Sequence, residues 1–367
     1  MSNNTSSCQV PYIPMAGLAA AKAAAYLMIF AISVLGNVLI ILVVGKNQRL
    51  RSAPINRFIV SMAVADILTT LFNMMIEICI YTREATGQRF VWFNGPGSNF
   101  LCKIIAFIQG ISLASSVLTL TAIAVNRFFA VFFPLKMPGL SKPLTNFVIG
   151  LIWVVSCAIA SPMLYAMKVV KKDCIVQCYE QWSPAFDDES SPKIYTLVLL
   201  VSLYIVPLSV MTVLYTAIVR KVWTRQVPGN IIAPNQLVEL ATKKRVLRML
   251  ITIVVVFALC WMPYYTYLLL NFLVHSSFHE IASVNVMFVG LFLGHANSAI
   301  NPCIYAIFNK EYRSGFTNVN RAFLSSLNHA SRVPLSHLNS SSLRRTQLPT
   351  AQMAKQEKRS PTLIRSS

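Results

Sequence analysis

The sequence predicts an all-α membrane protein, a seven-transmembrane helix bundle, and three observations predict it. Of 367 residues, 55% are hydrophobic and only 12% are charged, about half the charged share of an ordinary soluble domain. The apolar residues fall in long blocks, each exceeding the roughly 20 residues a helix needs to cross the hydrocarbon core. Short polar breaks separate the blocks, which cover 24–46, 56–82, 99–133, 145–167, 193–225, 238–272 and 281–307.

The first dozen residues are polar, and no basic head with a short apolar core and a small-residue cleavage site precedes the first block. That helix is therefore expected to act as a signal anchor, with residues 1–23 as an N-terminal segment and 24–307 as the membrane domain. Lys and Arg set the orientation. The breaks after helices one, three and five carry Lys46, Arg49, Arg51 and Arg57, then Lys136 and Lys142, then Arg220, Lys221, Arg225, Lys243, Lys244, Arg245 and Arg248. Such residues collect on the cytoplasmic side. The break after helix four is mixed, with Lys168, Lys171 and Lys172 against Asp187, Asp188 and Glu189. An extracellular N-terminus and a cytoplasmic C-terminus in the plasma membrane are expected.

The net charge of +20 raises the question of nucleic acid. Most of the excess lies in the inner breaks and in a Ser- and Arg-rich tail from about Ala322, where anionic inner-leaflet lipid accounts for it. Residues 319–367 lack apolar periodicity, which predicts a disordered cytoplasmic tail whose hydroxyls suit a kinase.

Asp66 stands in the middle of the second block, in the run SMAVADIL. An acid at that depth costs roughly 2.5 to 3.5 kcal/mol on insertion scales, so it needs partners. Asn37, Ser116, Asn297, Ser298 and Asn301 lie at similar depth on helices one, three and seven. A carboxylate ringed by neutral oxygens suits a small cation, an allosteric sodium ion rather than a cofactor. A protonated Asp in a hydrogen-bond network is the alternative.

On helix three, Cys102, Gln109 and Ser116 recur every seven residues and Arg127 follows Ser116 by eleven. At about 3.6 residues per turn these share one face, with Gln109 and Arg127 roughly 27 Å apart. Glu77 follows Asp66 by eleven residues, so on a regular helix it shares the Asp66 face about 16 Å nearer the outside. Beside Gln109 it would pair with a cationic ligand group; snorkelling, or pairing with Arg83, is the alternative.

Cys8, Cys102, Cys174 and Cys178 fall on or near the oxidising outer face, whereas Cys79, Cys157, Cys260 and Cys303 lie within helices. Either Cys174 or Cys178 suits Cys102 at the outer end of helix three. Asn3-Asn4-Thr5 and Asn4-Thr5-Ser6 are overlapping glycosylation sequons. No Ser/His/Asp set, metal cluster or phosphate loop falls in a register that supports an enzyme.

A dense set of residues carries a family resemblance: Gly36-Asn37, Asp66, Trp153, Pro207 and Tyr215, Phe257 with Cys260-Trp261-Met262-Pro263, and Asn301-Pro302-Cys303-Ile304-Tyr305. On these the chain resembles the rhodopsin-like G-protein-coupled receptors over about residues 24–318. The resemblance implies a short interfacial eighth helix at 308–318, FNKEYRSGF and beyond, whose apolar residues fall near helical spacing. It implies Trp261 at the cavity floor, proline hinges at Pro207, Pro263 and Pro302, and a coupling switch of Arg127, Tyr215 and Tyr305. Heterotrimeric G protein, receptor kinase and arrestin are the inner partners it implies. Two positions depart from the family: the usual acid before the arginine is Asn126, in Asn126-Arg127-Phe128, and no cysteine follows Cys303 for palmitoylation. The first departure predicts a less firmly locked resting state.

Gln109 occupies the position where aminergic receptors carry an aspartate for an ammonium group, which argues against a monoamine. Between Val289 and Ser298 there is no lysine for a retinal Schiff base; His295 stands there instead. With Trp92, Cys178-Tyr179-Glu180-Gln181-Trp182 and Lys193-Ile194-Tyr195-Thr196, the chain resembles receptors for neuropeptide FF and other RFamide peptides, with orexin and neuropeptide Y receptors as cousins. That resemblance implies a Cys102–Cys178 disulfide, leaving Cys174 free or paired with Cys8. It also implies an amidated peptide ending in Arg-Phe or Arg-Tyr. Glu77 would take the guanidinium, Gln109 the terminal amide, and Trp261, Tyr265 and Leu268 the ring. Glu180, Asp187, Asp188 and Glu189 would steer a basic peptide inward. The rival readings are a receptor for a small molecule or lipid, and a transporter or channel using Asp66 and Glu77 as a path, for which inverted repeats are not visible.

Overall fold

The structure, a computed structural model, describes residues 15–135, 140–172, 175–224, 234–273 and 280–330. Asn3, Asn4, Cys8, Lys136, Cys174, Arg225 and the tail from 331 lie outside them. Among the described residues six helices are long and apolar enough to span a membrane: Ala16–Lys46, Pro54–Ala85, Ser98–Phe132, Lys142–Ala166, Ser190–Trp223 and Lys244–Leu270, the last within a helix Pro234–Leu273. The seventh, Glu280–Phe308, packs most extensively against the sixth. An eighth helix, Lys310–Ala330, follows. The described residues from Asn320 to Ala330 belong to a second compact unit.

The distribution of side chains inverts that of a soluble protein. Leu35, Phe147, Val154, Val213 and Leu259 are exposed, whereas Asn37, Asp66, Thr119, Ser156 and Asn301 are buried. Apolar faces turned outward suit lipid, and the polar groups find one another inside.

Helix one begins at Ala16 rather than at 24, because the Ala-rich run preceding Tyr26 is a strong helix former. This brings Lys22 inside the helix. Helix two contains a π turn, Thr69–Met74, between Asp66 and Glu77. A π turn takes one residue more than the α turn it replaces, so Glu77 is carried about a quarter turn from the face that regular spacing predicts. Helix five carries another π turn, Val201–Ile205, immediately before Val206 and Pro207.

Two prolines, Pro263 and Pro302, interrupt the backbone ladder inside helices six and seven, and at Pro302 a side chain supplies the missing donor. Pro302 leaves the Ser298 carbonyl without its helical donor, and the Asn37 side-chain amide of helix one donates to that carbonyl at 3.0 Å. The neighbouring Gly36 admits the proline ring, since a Cβ there would stand 2.6 Å from Pro302 Cβ. The Tyr204 hydroxyl of helix five donates to the Ala258 carbonyl of helix six at 2.8 Å, joining the two helices one turn before Pro263.

At the disulfide end, strands β1 (Met167–Lys172) and β2 (Ile175–Glu180) form an antiparallel hairpin with Met167 opposite Glu180 and Lys172 opposite Ile175. Cys178 of β2 is bonded to Cys102 of helix three, with Cα atoms 5.6 Å apart. The Trp92 amide donates to the Val176 carbonyl at 2.8 Å, tying the break after helix two to the same strand. At the Arg127 end, Asn47 caps the short helix Gln48–Ser52 by accepting from the Arg49 and Leu50 amides. Tyr312 of helix eight is fully buried, stacks on Tyr305 at 5.7 Å and donates to Asn56 Oδ1 at 2.9 Å.

Candidate ligand cavity, cation site and inner switch

Helix three delivers Gln109 into the bundle as its spacing predicts. The Gln109 amide nitrogen donates to His295 Nε2 at 3.4 Å. An amide nitrogen only donates, so the imidazole carries its proton on Nδ1, which donates to the Tyr26 oxygen at 3.3 Å. Helices three, seven and one are thus joined by neutral groups, and Gln109 Oε1 is left buried with no hydrogen-bond partner.

Glu77 is half-buried beside the Tyr81 hydroxyl and makes no ion pair among the described residues. Trp261 and Tyr265 are both buried; Tyr265 lies 4.7 Å from the Tyr204 ring and 6.2 Å from Trp261. Leu268 packs, half-buried, against the same core. A Cβ at Gly294 would stand 3.1 Å from Trp261 Cζ3, so the indole lies flat on the helix-seven backbone.

A small cavity of about 20 Å³ lies where the candidate ligand and cation groups meet, lined by Asp66, Gln109, Ser116, Trp261, Asn297 and Ser298 among others. That volume holds about one water or one small ion. Glu77, Tyr265 and Leu268 stand away from it. Asp66 accepts from Ser298 Oγ at 2.7 Å on one oxygen and from Asn301 Nδ2 at 3.0 Å on the other. Asn297 Oδ1 and Asn301 Oδ1 are buried without partners. This all-oxygen set around one carboxylate fits a hard monovalent cation. Among the described residues no group of three or more His, Cys, Asp or Glu stands together for a transition metal.

At the other end Arg127 lines a cavity of about 360 Å³ with Ile218, Lys221, Val246, Leu247 and Leu250. Tyr215 and Tyr305 are buried, but among the described residues no hydrogen bond joins them to Arg127; its Nε and the Tyr305 hydroxyl are both without hydrogen-bond partners. Asn126, in the place of the usual acid, spends its side chain elsewhere: its Oδ1 accepts from the Leu140 amide at 3.1 Å, across the break after helix three.

The acidic residues at the disulfide end are engaged locally. Asp188 accepts from the Trp182 and Ser183 amides, and Asp187 accepts from the amides of Glu189 and Ser190 and from the Ser190 hydroxyl at the start of helix five. The Ser190 amide and hydroxyl hold the Asp187 carboxyl below the usual carboxylate range, and the Ser183 amide does the same for Asp188. Glu180 accepts from the Trp182 indole at 2.7 Å.

Sequence reasoning passed over a cluster on helices one, two and seven. Tyr26 stacks on Tyr81 and meets Phe288, Phe292 and His295 edge-on. Lys22 joins it from above, donating to Asn285 Oδ1 at 2.9 Å. The available signal was Lys22 itself, a charge in an apolar run.

Seven membrane helices, a disulfide pinning a hairpin over one end, and buried polar groups running from Gln109 through Asp66 toward Arg127 define a seven-helix transmembrane receptor. The chain belongs to the rhodopsin family of 7 transmembrane receptors, whose profile matches residues 36–305. It is 35% identical over 306 residues to the QRFP-like peptide receptor of Branchiostoma floridae, covering 81% of this chain and 76% of that one. It is 31% identical to the neuromedin-K receptor of Rattus norvegicus, covering 80% of this chain and 61% of that one. The substance-P receptor of Rattus norvegicus is 29% identical, with 82% and 70% covered. These relatives are receptors, and the chain is a multi-pass membrane receptor rather than an enzyme.

Proposed function

We propose that this chain is a plasma-membrane receptor for a short extracellular amidated peptide of the Arg-Phe-amide kind, signalling through heterotrimeric G proteins. The observation that carries the reading is Gln109 Oε1, a buried acceptor with no hydrogen-bond partner beside the His295 imidazole. A buried acceptor left unmet is costly, and a ligand amide N–H meets it. Glu77 takes the guanidinium, while Trp261, Tyr265 and Leu268 receive the aromatic ring. The name of the Branchiostoma floridae relative, a QRFP-like peptide receptor, supports a peptide ligand.

The N-terminus is outside and the C-terminus inside, as the Lys and Arg of the first, third and fifth breaks require. Ligand binding favours a state open at the Arg127 end, which the G protein selects. Arg127, Tyr215 and Tyr305 form the coupling site, and the tail serves receptor kinase and arrestin. Asp66, Ser116, Asn297, Ser298 and Asn301 would hold a sodium ion, which supplies positive charge to the carboxylate and favours the closed packing.

The test is a calcium or cyclic-AMP assay in cells expressing the chain, with Glu77→Gln alongside. Arg-Phe-amide or Arg-Tyr-amide peptides are expected to evoke a response that weakens in the variant. Silence across the amidated panel, with receptor confirmed at the surface, overturns the ligand assignment.

A further inference from the structure

Lys22 is an ammonium in an apolar setting with little to neutralise it. It keeps only 9% of its surface exposed. Its Nζ donates to Asn285 Oδ1 at 2.9 Å and lies 4.7 Å from the centre of the Phe288 ring and 5.5 Å from that of Tyr81. Among the described residues no carboxylate lies within ion-pair distance; Glu84 reaches it only through space. An ammonium has three donors and no acceptor, and the neutral Asn285 oxygen uses one. The rings supply a diffuse attraction from their faces, which falls short of a counter-charge. A buried cation in this condition is costly, and breaking even requires an anion with hydrogen-bonding oxygens.

The position of Lys22 links it to Gln109. Lys22 lies one helical turn before Tyr26 on helix one, and Tyr26 is hydrogen-bonded to His295, which is bonded to Gln109. Tyr81, under the ammonium, stands one turn beyond Glu77 on helix two. A chain of contacts thus runs from Gln109 through His295 and Tyr26 to Tyr81, whose ring lies under the Lys22 ammonium.

We infer that Lys22 binds a carboxylate of the ligand, so that the peptide carries an acidic side chain upstream of its basic, amidated end. This rests on the peptide reading above and adds a second, opposite charge requirement on the same ligand. Asn285 and the rings of Tyr81 and Phe288 position the ammonium. Their own test is Asn285→Ala, which removes the tie between helices one and seven and keeps the charge.

The experiment uses full-length receptor in cells and synthetic seven-residue peptides ending in Arg-Phe-amide. Each has one Glu at a different upstream position, and each has a Gln twin. At one position or more the Glu peptide is expected to be about tenfold more potent than its twin, the size of a charge-assisted bond. Lys22→Gln abolishes that difference while Lys22→Arg keeps most of it, and Asn285→Ala keeps it even if overall potency falls. Equal potency of all twins on the wild type overturns the inference and leaves the peptide reading standing. An equal loss for both twins in Lys22→Gln overturns it too, since that marks a residue that only joins helices. Silence to every peptide, with the receptor at the surface, removes the peptide reading and this inference together.

Discussion

The Asn37 side chain donates to the backbone carbonyl of Ser298, the acceptor that Pro302 deprives of its helical donor. One amide thus joins helix one to helix seven where helix seven is weakest, and it does so beside the Ser298 hydroxyl that donates to Asp66. Asn37→Leu keeps the volume and removes the donor. It is expected to destabilise the receptor by about 1–3 kcal/mol, the cost of an unmet buried carbonyl. A thermal shift assay on detergent-solubilised protein checks this, and an unchanged Tm would show that another donor serves Ser298.

Asp66 supports a second prediction. Both of its oxygens already accept hydrogen bonds, yet the side-chain oxygens of Asn297 and Asn301 stay unmet. A sodium ion bound there would make agonist affinity fall as sodium replaces a large organic cation at constant ionic strength. Asp66→Asn is expected to flatten that dependence. Equal sodium sensitivity in wild type and variant would place the ion elsewhere.

Asn126 supports a third. It spends its side-chain oxygen on the Leu140 amide and offers Arg127 no charge. Asn126→Asp preserves an acceptor for Leu140 and adds a carboxylate beside the guanidinium, so it is expected to lower ligand-independent signalling. Asn126→Ala frees the loop and is expected to raise it. Basal second-messenger levels, normalised to surface expression, measure both; levels equal to mock-transfected cells for wild type and both variants would count against a weakened lock.

The parts of this architecture that were legible are those written in local pattern. Apolar block length gave the helices, and the seven-residue recurrence of Cys102, Gln109 and Ser116 gave the inward face of helix three. The first turns of helix one were harder, because the run before Tyr26 is mostly alanine, which is helical without being strongly apolar. The π turn at Thr69–Met74 has no sequence signature, so the face of Glu77 was displaced without warning. The Lys22, Tyr26 and His295 cluster draws on helices one, two and seven, and no spacing within one helix encodes it. The choice between Cys174 and Cys178 was left to the family resemblance for the same reason, and the bond from Cys178 to Cys102 depends on the hairpin's placement.

The loop acids make a prediction about pH. Asp187 and Asp188 are held below the ordinary carboxylate value of about 3.9 by amide and hydroxyl donors. A carboxyl lowered in the folded state contributes stability in full above its unfolded value, and loses it only as pH falls through the lowered one. The segment from Trp182 to Ser190 is therefore expected to hold its structure from about pH 7 to about pH 5 and to loosen only below about pH 4. Hydrogen exchange at the Trp182 and Ser183 amides reads this directly. Asp188→Asn should speed exchange at both near neutral pH, and protection that fades already at about pH 6 would point to a different titrating group.

The last prediction separates two tight glycines. At Gly36 a Cβ would stand 2.6 Å from the ring of Pro302, which is tied to backbone, so Gly36→Ala must push helices one and seven apart. Overpacking of this kind costs about 1–3 kcal/mol, and reduced surface expression is expected. At Gly294 the added Cβ would meet three ring atoms of Trp261 at 3.1 to 3.2 Å. That ring is a side chain among side chains, 5.9 Å from Tyr264 and 6.5 Å from Phe257, and it lines the small cavity shared with Gln109 and Asp66. It can turn where the backbone at Pro302 cannot. Gly294→Ala is therefore expected to leave surface expression near wild type while changing basal signalling and agonist potency by several-fold, because a displaced indole alters the floor that both the ligand and the cation site touch. Radioligand-independent surface labelling and a concentration-response curve, taken on the same cells, check the two halves. Wild-type potency and basal output in Gly294→Ala would mean that Trp261 only fills space, and loss of expression as severe as in Gly36→Ala would mean that it is as fixed as the proline.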